Sequence, residues 1–568
     1  MNSDLSLLPP FSVASVLVRS FYNQGLRYAI VSPGSRSTPL TMALAHHPGI
    51  QKYVILDERS AAFIALGIGK ATGKPALLVC TSGTAVANYM PAVTEAVESG
   101  VPMVICSADR PPSLRGTGSN QTVDQIKLFG EKAVWFHEMG EPANTPRDIR
   151  RIEFSAQQAV RESVTKNGAS HINIPFRKPL EPALDLLSRY KNEAIMQVKN
   201  EQRDNTAYTK EILPGKRILD QINTSVRPLL IAGPSHPFQS QINTVVQLSE
   251  TLSAPVIAEP GSGMPDHPNR ISGFEQFLRD TTSAEKVQPD LILRFGDQPF
   301  TKSILTAMEL WKEVPVIRVD ARDDWQDHQM NSSEVIKLQG TESLSLEHIP
   351  KKTEDKWLKS WSRLSFNASN EKNTVLKEET VLCDGHVFDY IARNLPESWN
   401  LMISNSLPVR DAALFGWPES SLFVNRGAAG IDGILSTAAG VALASDQITC
   451  CIVGDLAFLH DSNALLTLNR SKAPVVVVVV NNGGGSIFRM LPVQNQEDIF
   501  TTYFETPHSP DLRHLANAHH IPFQRVTNID ELTNLKVAHL TRESLPLIVE
   551  CVTDPEKSMA MRKCLWAV

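Results

Sequence analysis

Six consecutive valines, Val475 to Val480, constrain this chain more than any other stretch. They run into Asn481-Asn482 and Gly483-Gly484-Gly485. A second apolar run, Ile448 to Val453, stops at Gly454-Asp455, and a polar, helix-compatible segment separates the two. Unbroken apolar runs bounded by glycine and joined by a helical crossover read as buried neighbouring strands of a parallel sheet. Ligands of such sheets sit at the carboxyl ends of the strands. Asp455 and Asn482 occupy those ends, so a carboxylate and an amide oxygen converge there, joined by a backbone carbonyl such as that of Gly484. This is half an octahedron of hard oxygen donors. It suits magnesium, or manganese, with a diphosphate and water completing the shell.

The rest of the chain supports an enzyme of small molecules. Its 568 residues carry 55 Lys and Arg against 61 Asp and Glu, a net charge of −6, which argues against a nucleic-acid partner. Anionic substrates then require local basic pockets. The seven cysteines fall in no CxxC or Cys/His metal spacing, and a reducing cytoplasm is expected. The first twenty residues lack the pattern of a secretory signal, and the longest apolar runs are strand-sized, so no integral membrane segment is expected.

Apolar runs alternate with helical patterns along the whole sequence, the mark of α/β domains with doubly wound parallel sheets. The runs Tyr28–Val31, Tyr53–Leu56, Pro75–Cys80, Val101–Cys106 and His171–Ile174 define a first domain over 1–185. A polar, irregular linker is expected over 186–216. Runs at Pro228–Ala232, Pro255–Ala258, Asp290–Phe295 and Val314–Val319 define a central domain over 217–347. A lysine-rich helix with linker covers 348–378, and a third domain covers 379–568. Strand, helical stretch and strand recur faintly in the two outer thirds, around Thr81–Asn88 and around Gly454–Asn482.

Two further stretches carry chemistry. Glu58, in Leu56-Asp57-Glu58-Arg59, follows an apolar run and opens a helical one, a position that favours a carboxylate. Val424 to Gly433, VNRGAAGIDG, is glycine-rich and expected to lack regular structure.

Twenty-four residues separate Leu456 from Asn481, a Gly-Asp to Asn-Asn spacing that resembles the diphosphate signature of thiamine diphosphate (ThDP) enzymes. Further motifs narrow the resemblance: Ser32-Pro33-Gly34-Ser35-Arg36-Ser37-Thr38-Pro39, Asp57-Glu58-Arg59, Thr81 to Asn88, Ala108-Asp109-Arg110-Pro111-Pro112, Asn405-Ser406-Leu407 with Arg410, and Asn425-Arg426-Gly427. Together they are similar to the 2-succinyl-5-enolpyruvyl-6-hydroxy-3-cyclohexene-1-carboxylate synthases of menaquinone and phylloquinone biosynthesis. The resemblance implies three doubly wound domains of the ThDP-enzyme type, the outer two binding pyrimidine and diphosphate. It also implies decarboxylation of 2-oxoglutarate and 1,4-addition of the four-carbon fragment to isochorismate. Glu58 would bond the cofactor's pyrimidine, and Ile431 would wedge its two rings into a bent shape. Ser82, Gly83, Asn88, Gly454, Leu456, Ser486 and Ile487 would line the cofactor, with metal on Asp455, Asn482 and Gly484. Ser406 and Arg410 would hold the succinyl carboxylate. Ser35, Arg36, Arg110, Asn120, Gln121, Lys302 and Arg426 would face isochorismate or the adduct, and Phe488 and Leu491 would wall the reacting carbons. Glu58, Arg36, Arg410 and Arg426 are the expected catalytic set. Because the family's cofactor lies between domains of two subunits, a homodimer or a dimer of dimers is expected.

Arginine is the side chain for bidentate recognition of carboxylates, and both implied substrates are dicarboxylates. An acetolactate synthase or a similar ThDP carboligase would leave Arg36, Arg110, Arg410 and Arg426 unexplained. A dinucleotide-binding oxidoreductase would need a G-x-G-x-x-G after a strand, which is missing. A ThDP-fold scaffold without activity would not need Glu58, Asp455 and Asn482 together. Ser303 stands where some family members carry a second basic residue after the lysine. The pairs His46-His47 and His519-His520 read as structural.

Overall fold

A computed structural model describes residues 6–199, 210–234, 239–322, 326–338 and 342–567. The first sheet contains β1 (Tyr28–Val31), β2 (Gln51–Val54), β3 (Ala76–Cys80), β4 (Met103–Asp109), β5 (Trp135–Glu138) and β6 (Ala169–Pro175), in the order β2-β1-β3-β4-β6-β5. A short strand, β7 (Glu211–Ile212), precedes the central sheet. That sheet contains β8 (Pro228–Ala232), β9 (Val256–Ala258), β10 (Arg270–Ile271), β11 (Leu291–Phe295), β12 (Val316–Asp320) and β13 (Ser332–Lys337), in the order β10-β9-β8-β11-β12-β13. β14 (Ser343–Leu344) pairs with β7. The third sheet contains β15 (Asn400–Ile403), β16 (Ser421–Val424), β17 (Thr449–Gly454), β18 (Val475–Asn481), β19 (Phe523–Val526) and β20 (Leu547–Val552), in the order β16-β15-β17-β18-β20-β19. The strands pair in parallel, as expected for doubly wound α/β sheets.

The six valines lie in β18, buried on both faces, and β17 is its neighbour. Counted within each sheet, the first and third share one strand order, which gives the faint repeat a topological basis. The central sheet winds differently, in the order known from dinucleotide-binding folds.

The chain divides into two compact units. One holds the first sheet together with residues 425–449 and 459–475; the other holds the central sheet and the strands of the third. In the first unit the helix Glu58–Thr72 starts at an Asp57 cap, whose Oδ1 accepts from the backbone N–H of Arg59 at 2.8 Å, and stops at Gly73 in the left-handed region. Residues 60–70 are buried on every side, so this helix is interior. It crosses the helix Ile434–Ser445 backbone against backbone. A Cβ on Gly67 would overlap the Thr437 carbonyl oxygen, and one on Gly440 would overlap that of Ile64.

Residues 186–199 correct the expectation of an irregular linker. They belong to the helix Leu184–Lys199, whose Tyr190 and Ala194 are buried in the first sheet's core, with Leu186, Leu187 and Val198 packed against it. The Tyr190 hydroxyl donates to the Ala43 carbonyl at 2.9 Å. Apolar residues there recur at helical spacing, but the charged residues between them mask the stripe. Residues 200–209 of that expected linker lie outside the described residues. The lysine-rich helix forms over Lys356–Glu378. The run expected at Tyr53–Leu56 is shifted to Gln51–Val54, because Leu56 is exposed in the turn before the Asp57 cap.

Candidate functional site

At the ends of β17 and β18 the fold brings Asp455, Asn482 and Gly484 together. Asp455 is 2% exposed; its Oδ1 accepts from the Leu456 N–H at 2.7 Å and its Oδ2 from the Gly484 N–H at 2.8 Å. Gly484 has a φ of 143°, and the Glu505 carbonyl closes over it where a side chain would start, so only glycine brings this backbone to Asp455. The Asn482 amide is oriented on both sides. Its Nδ2 donates to Asp384 Oδ2 at 3.2 Å, and its Oδ1 accepts from Ser486 Oγ at 3.0 Å. Asp384 is fixed in turn by Arg562, whose guanidinium lies 2.5 Å from Asp384 Oδ2 and 2.6 Å from Asp411 Oδ2, all three residues being buried. Gly454 and Gly483 open onto free space, with no atom within 4 Å of the point where a side chain would begin.

This donor set is a carboxylate, an amide oxygen and backbone carbonyls. Among the described residues no group of three His, Cys, Asp or Glu side chains is arranged to hold a metal. A carboxylate, an amide oxygen and backbone carbonyls are donors of the kind a hard, oxygen-bound cation takes.

In the same unit Ser406, with a φ of 73°, precedes the helix Leu407–Phe415. Strain of this kind in a non-glycine residue is held in place by its surroundings and recurs at ligand sites. Arg410, one turn on, donates from Nη1 to the Ser406 carbonyl at 2.6 Å. Burial lowers the pKa of its guanidinium, while Glu275, Asp411 and Glu259 pull it back up. Ser303 is buried and bonded to Glu275, whereas Lys302 is exposed at the start of the helix Lys302–Leu310. Phe488 is half-buried and meets Phe504 edge-on at 5.7 Å. Ile487 is half-buried and Leu491 is 47% exposed.

The first unit gathers the other candidates. Arg36, 8% exposed, sits in the turn after β1; its backbone N–H reaches Thr81 Oγ1 at 3.3 Å and its Nη1 the Phe176 carbonyl at 2.7 Å. Arg110 follows β4 and donates to Ser82 Oγ at 2.8 Å; that hydroxyl donates to the Gln121 carbonyl at 3.1 Å. Gln121 returns a bond from Nε2 to the Ser82 carbonyl at 2.8 Å. Burial, then the neighbouring Arg110 charge, lowers the Arg36 pKa, with Asp109 acting the other way. Gly83 donates to the buried Gln125 at 2.9 Å. Ser35, Asn88 and Asn120 are exposed in this chain, Asn88 bonding back to Thr84 of its own helix.

Glu58, half-buried, is the first residue of its helix, and both flanking residues are anchored. Asp57 Oδ2 accepts from Asn463 Nδ2 at 2.8 Å, and Arg59 Nη2 donates to the His460 carbonyl at 2.8 Å. Burial raises the pKa of the Cys80 thiol to about 12 and that of the Tyr89 phenol well above its usual value, and the Glu58 charge adds to both. The segment from Arg426 to Ile431 lacks regular structure, as expected, and lies between β16 and the helix Ile434–Ser445.

Sequence reasoning missed several residues that shape these sites. His508 Nε2 lies 3.1 Å from Asp455 Oδ2, and this bond raises the imidazole's pKa. Asp384, Arg562 and Glu95 were also missed. None lies in a motif, and each meets its partner across a long span of chain, so no local signal could have found them.

Comparison with known proteins follows the same outline. Residues 11–128 match the family described as thiamine pyrophosphate enzyme, N-terminal TPP binding domain. Residues 412–551 match its C-terminal TPP binding domain. A 2-succinyl-5-enolpyruvyl-6-hydroxy-3-cyclohexene-1-carboxylate synthase of Haloquadratum walsbyi is 33% identical, the match covering 97% of both chains. Synthases of the same name are 34% identical in Rippkaea orientalis, over 97% of this chain and 95% of the relative, and 33% identical in Geobacillus kaustophilus, over 97% and 96%. No described helix is long and apolar enough to cross a membrane.

Proposed function

This chain belongs to the 2-succinyl-5-enolpyruvyl-6-hydroxy-3-cyclohexene-1-carboxylate synthase family of thiamine diphosphate enzymes, and on that footing we propose that it decarboxylates 2-oxoglutarate and adds the remaining four-carbon unit to isochorismate. One observation carries the choice of substrates. In a chain of net charge −6, the guanidiniums of Arg36 and Arg110 lie close enough for one to lower the pKa of the other. Like charges held together at strand ends favour an anion between them, and a dicarboxylate supplies it.

Asp455, the Asn482 amide oxygen and the Gly484 carbonyl would hold magnesium, or manganese, for the diphosphate. When bound, thiamine diphosphate supplies the electron sink for loss of carbon dioxide. Glu58 would bond the pyrimidine ring nitrogen. Ser82, Gly83, Asn88, Gly454, Leu456, Ser486 and Ile487 would line the cofactor, and Ile431 would pack against its rings. Ser406 and Arg410 orient the distal carboxylate of 2-oxoglutarate. Arg36, Arg110 and Arg426, with Ser35, Asn120, Gln121 and Lys302, orient isochorismate, and Phe488 and Leu491 limit the access of water to the reacting carbons. The enzyme works as a cytoplasmic homodimer or dimer of dimers; sedimentation of an active monomer would refute this.

The test supplies purified protein with ThDP, magnesium and labelled 2-oxoglutarate. Carbon dioxide release that requires ThDP, with consumption of isochorismate, supports the reading. Preference for pyruvate as donor transfers it to an acetolactate-synthase-like carboligase.

A further inference from the structure

The segment from Arg426 to Ile431 carries two residues of the proposed site, yet it has no helix or strand to fix it. One side chain takes three of its successive backbone N–H groups. Glu95, in the helix Met90–Glu98 and 3% exposed, accepts the N–H of Gly427 on Oε1 at 3.0 Å. Its Oε2 accepts those of Ala428 at 2.7 Å and Ala429 at 3.3 Å. Three successive N–H groups pointing at one anion form a backbone nest. Ala429 adopts the left-handed φ of 58° that such a concavity requires. Gly427 packs directly on the end of the Glu95 helix, where a Cβ would stand 2.6 Å from the Ser99 nitrogen.

The carboxylate has a buried counter-charge. Lys70 Nζ lies 3.9 Å from Glu95 Oε1, with side chains 2% and 3% exposed, and also donates to Ser99 Oγ at 3.5 Å. The ends of the segment are tied separately: Asn425 Nδ2 donates to Thr437 Oγ1 at 3.0 Å, which donates to the Gly433 carbonyl at 2.8 Å. Ala92, Val93 and Ala96 of the same helix are buried beside it; Lys70 alone accounts for one oxygen of the carboxylate, and the three backbone N–H groups take both.

We infer that Glu95 is a positioning residue: its carboxylate fixes the backbone at 427–429, and so sets where Arg426 and Ile431 present their side chains. It touches neither substrate nor cofactor. The inference rests on the roles proposed above for Arg426 and Ile431, while the clamp itself can be tested without them.

Glu95→Gln keeps the size but turns one acceptor into a donor facing an N–H. Hydrogen–deuterium exchange on the cofactor-free chain is the first readout. The peptide spanning 425–433 exchanges roughly tenfold faster in the variant, whereas peptides from Met90–Glu98 and Ile434–Ser445 keep their protection. Calorimetric titration of ThDP with magnesium, and kinetics on the loaded enzyme, read the consequence: ThDP binds several-fold more weakly, and KM for isochorismate rises roughly tenfold while KM for 2-oxoglutarate stays within twofold. Glu95→Asp, which keeps the charge, falls between the two. If Glu95→Gln does not fold, Lys70→Met gives a smaller loosening of the same peptide. Unchanged exchange over 425–433 overturns the clamp. Faster exchange with unchanged ThDP affinity and unchanged KM for isochorismate overturns its positioning role. Failure of the unaltered chain to release carbon dioxide from 2-oxoglutarate overturns the proposed function instead, and leaves the exchange result standing.

Discussion

The first and third sheets share one strand order and present different chemistry at the carboxyl ends of their central strands. After β1 and β4 the first sheet offers guanidiniums, and after β2 the carboxylate of Glu58. After β17 and β18 the third offers a carboxylate, an amide and three glycines. A scaffold used twice has thus been specialised entirely in its loops, where function is cheapest to vary. The first sheet's loops suit an anionic substrate and a proton; those after β17 and β18 suit a cation and its phosphates, while Arg410 after β15 and Arg426 after β16 add guanidiniums of their own.

That division can be broken at five points, from the largest effect to the smallest. Asp455→Ala removes the only carboxylate among the three proposed metal ligands, and titration calorimetry with ThDP and magnesium is expected to show binding weakened ~10³-fold. Glu58→Gln should do the reverse: binding stays within about threefold, while turnover falls by roughly 10²–10³-fold. If both variants lose binding equally, the two sheet ends do not divide the work. Gly440→Val drives a side chain into the Ile64 carbonyl, and denaturant titration should show about 3 kcal/mol of lost stability in the unit holding the first sheet. Asp384→Asn frees the Asn482 amide to turn, and the magnesium requirement at saturating ThDP should rise ~10–100-fold with the fold intact by circular dichroism.

The fifth test is acid. Burial lowers the His47 pKa to about 4, and His171 is lowered to about 3 by the same cause. Both lie in the first unit. The folded state keeps these rings neutral while the unfolded chain protonates them near pH 6.5, so the stability they contribute is present above that pH and is lost as pH falls towards 4. For His47 the loss is about 2 kcal/mol at pH 5. His47→Gln should flatten that part of the stability curve, and an unchanged acid limb would show that the ring is protonated in the fold.

The third sheet's site was legible because its signals are local. Six valines, a glycine on either side of the crossover, and Asp455 and Asn482 at the strand ends fix the strands, their neighbours and their ends from sequence alone. The first sheet's site was legible only as motifs: nothing about Arg36 or Arg110 in isolation says that the charge of one acts on the other. Edge strands such as β10, two residues long, and β13, half exposed, lack the buried runs that identify the centres of sheets. The supporting residues were invisible for a different reason. Glu95 bonds a backbone 332 positions away, and Arg562 reaches Asp384 across 178. No periodicity or spacing encodes such partners.

The crossing of Gly67 and Gly440 also sets a timetable. At ~5–20 residues per second, the ribosome needs about 20 s to over a minute to reach the second helix after finishing the first. For that interval the helix Glu58–Thr72 lacks the partner that covers its alanines, glycines and isoleucines in the fold. The nascent chain must therefore be shielded, or pair transiently elsewhere, until the polypeptide that buries it emerges.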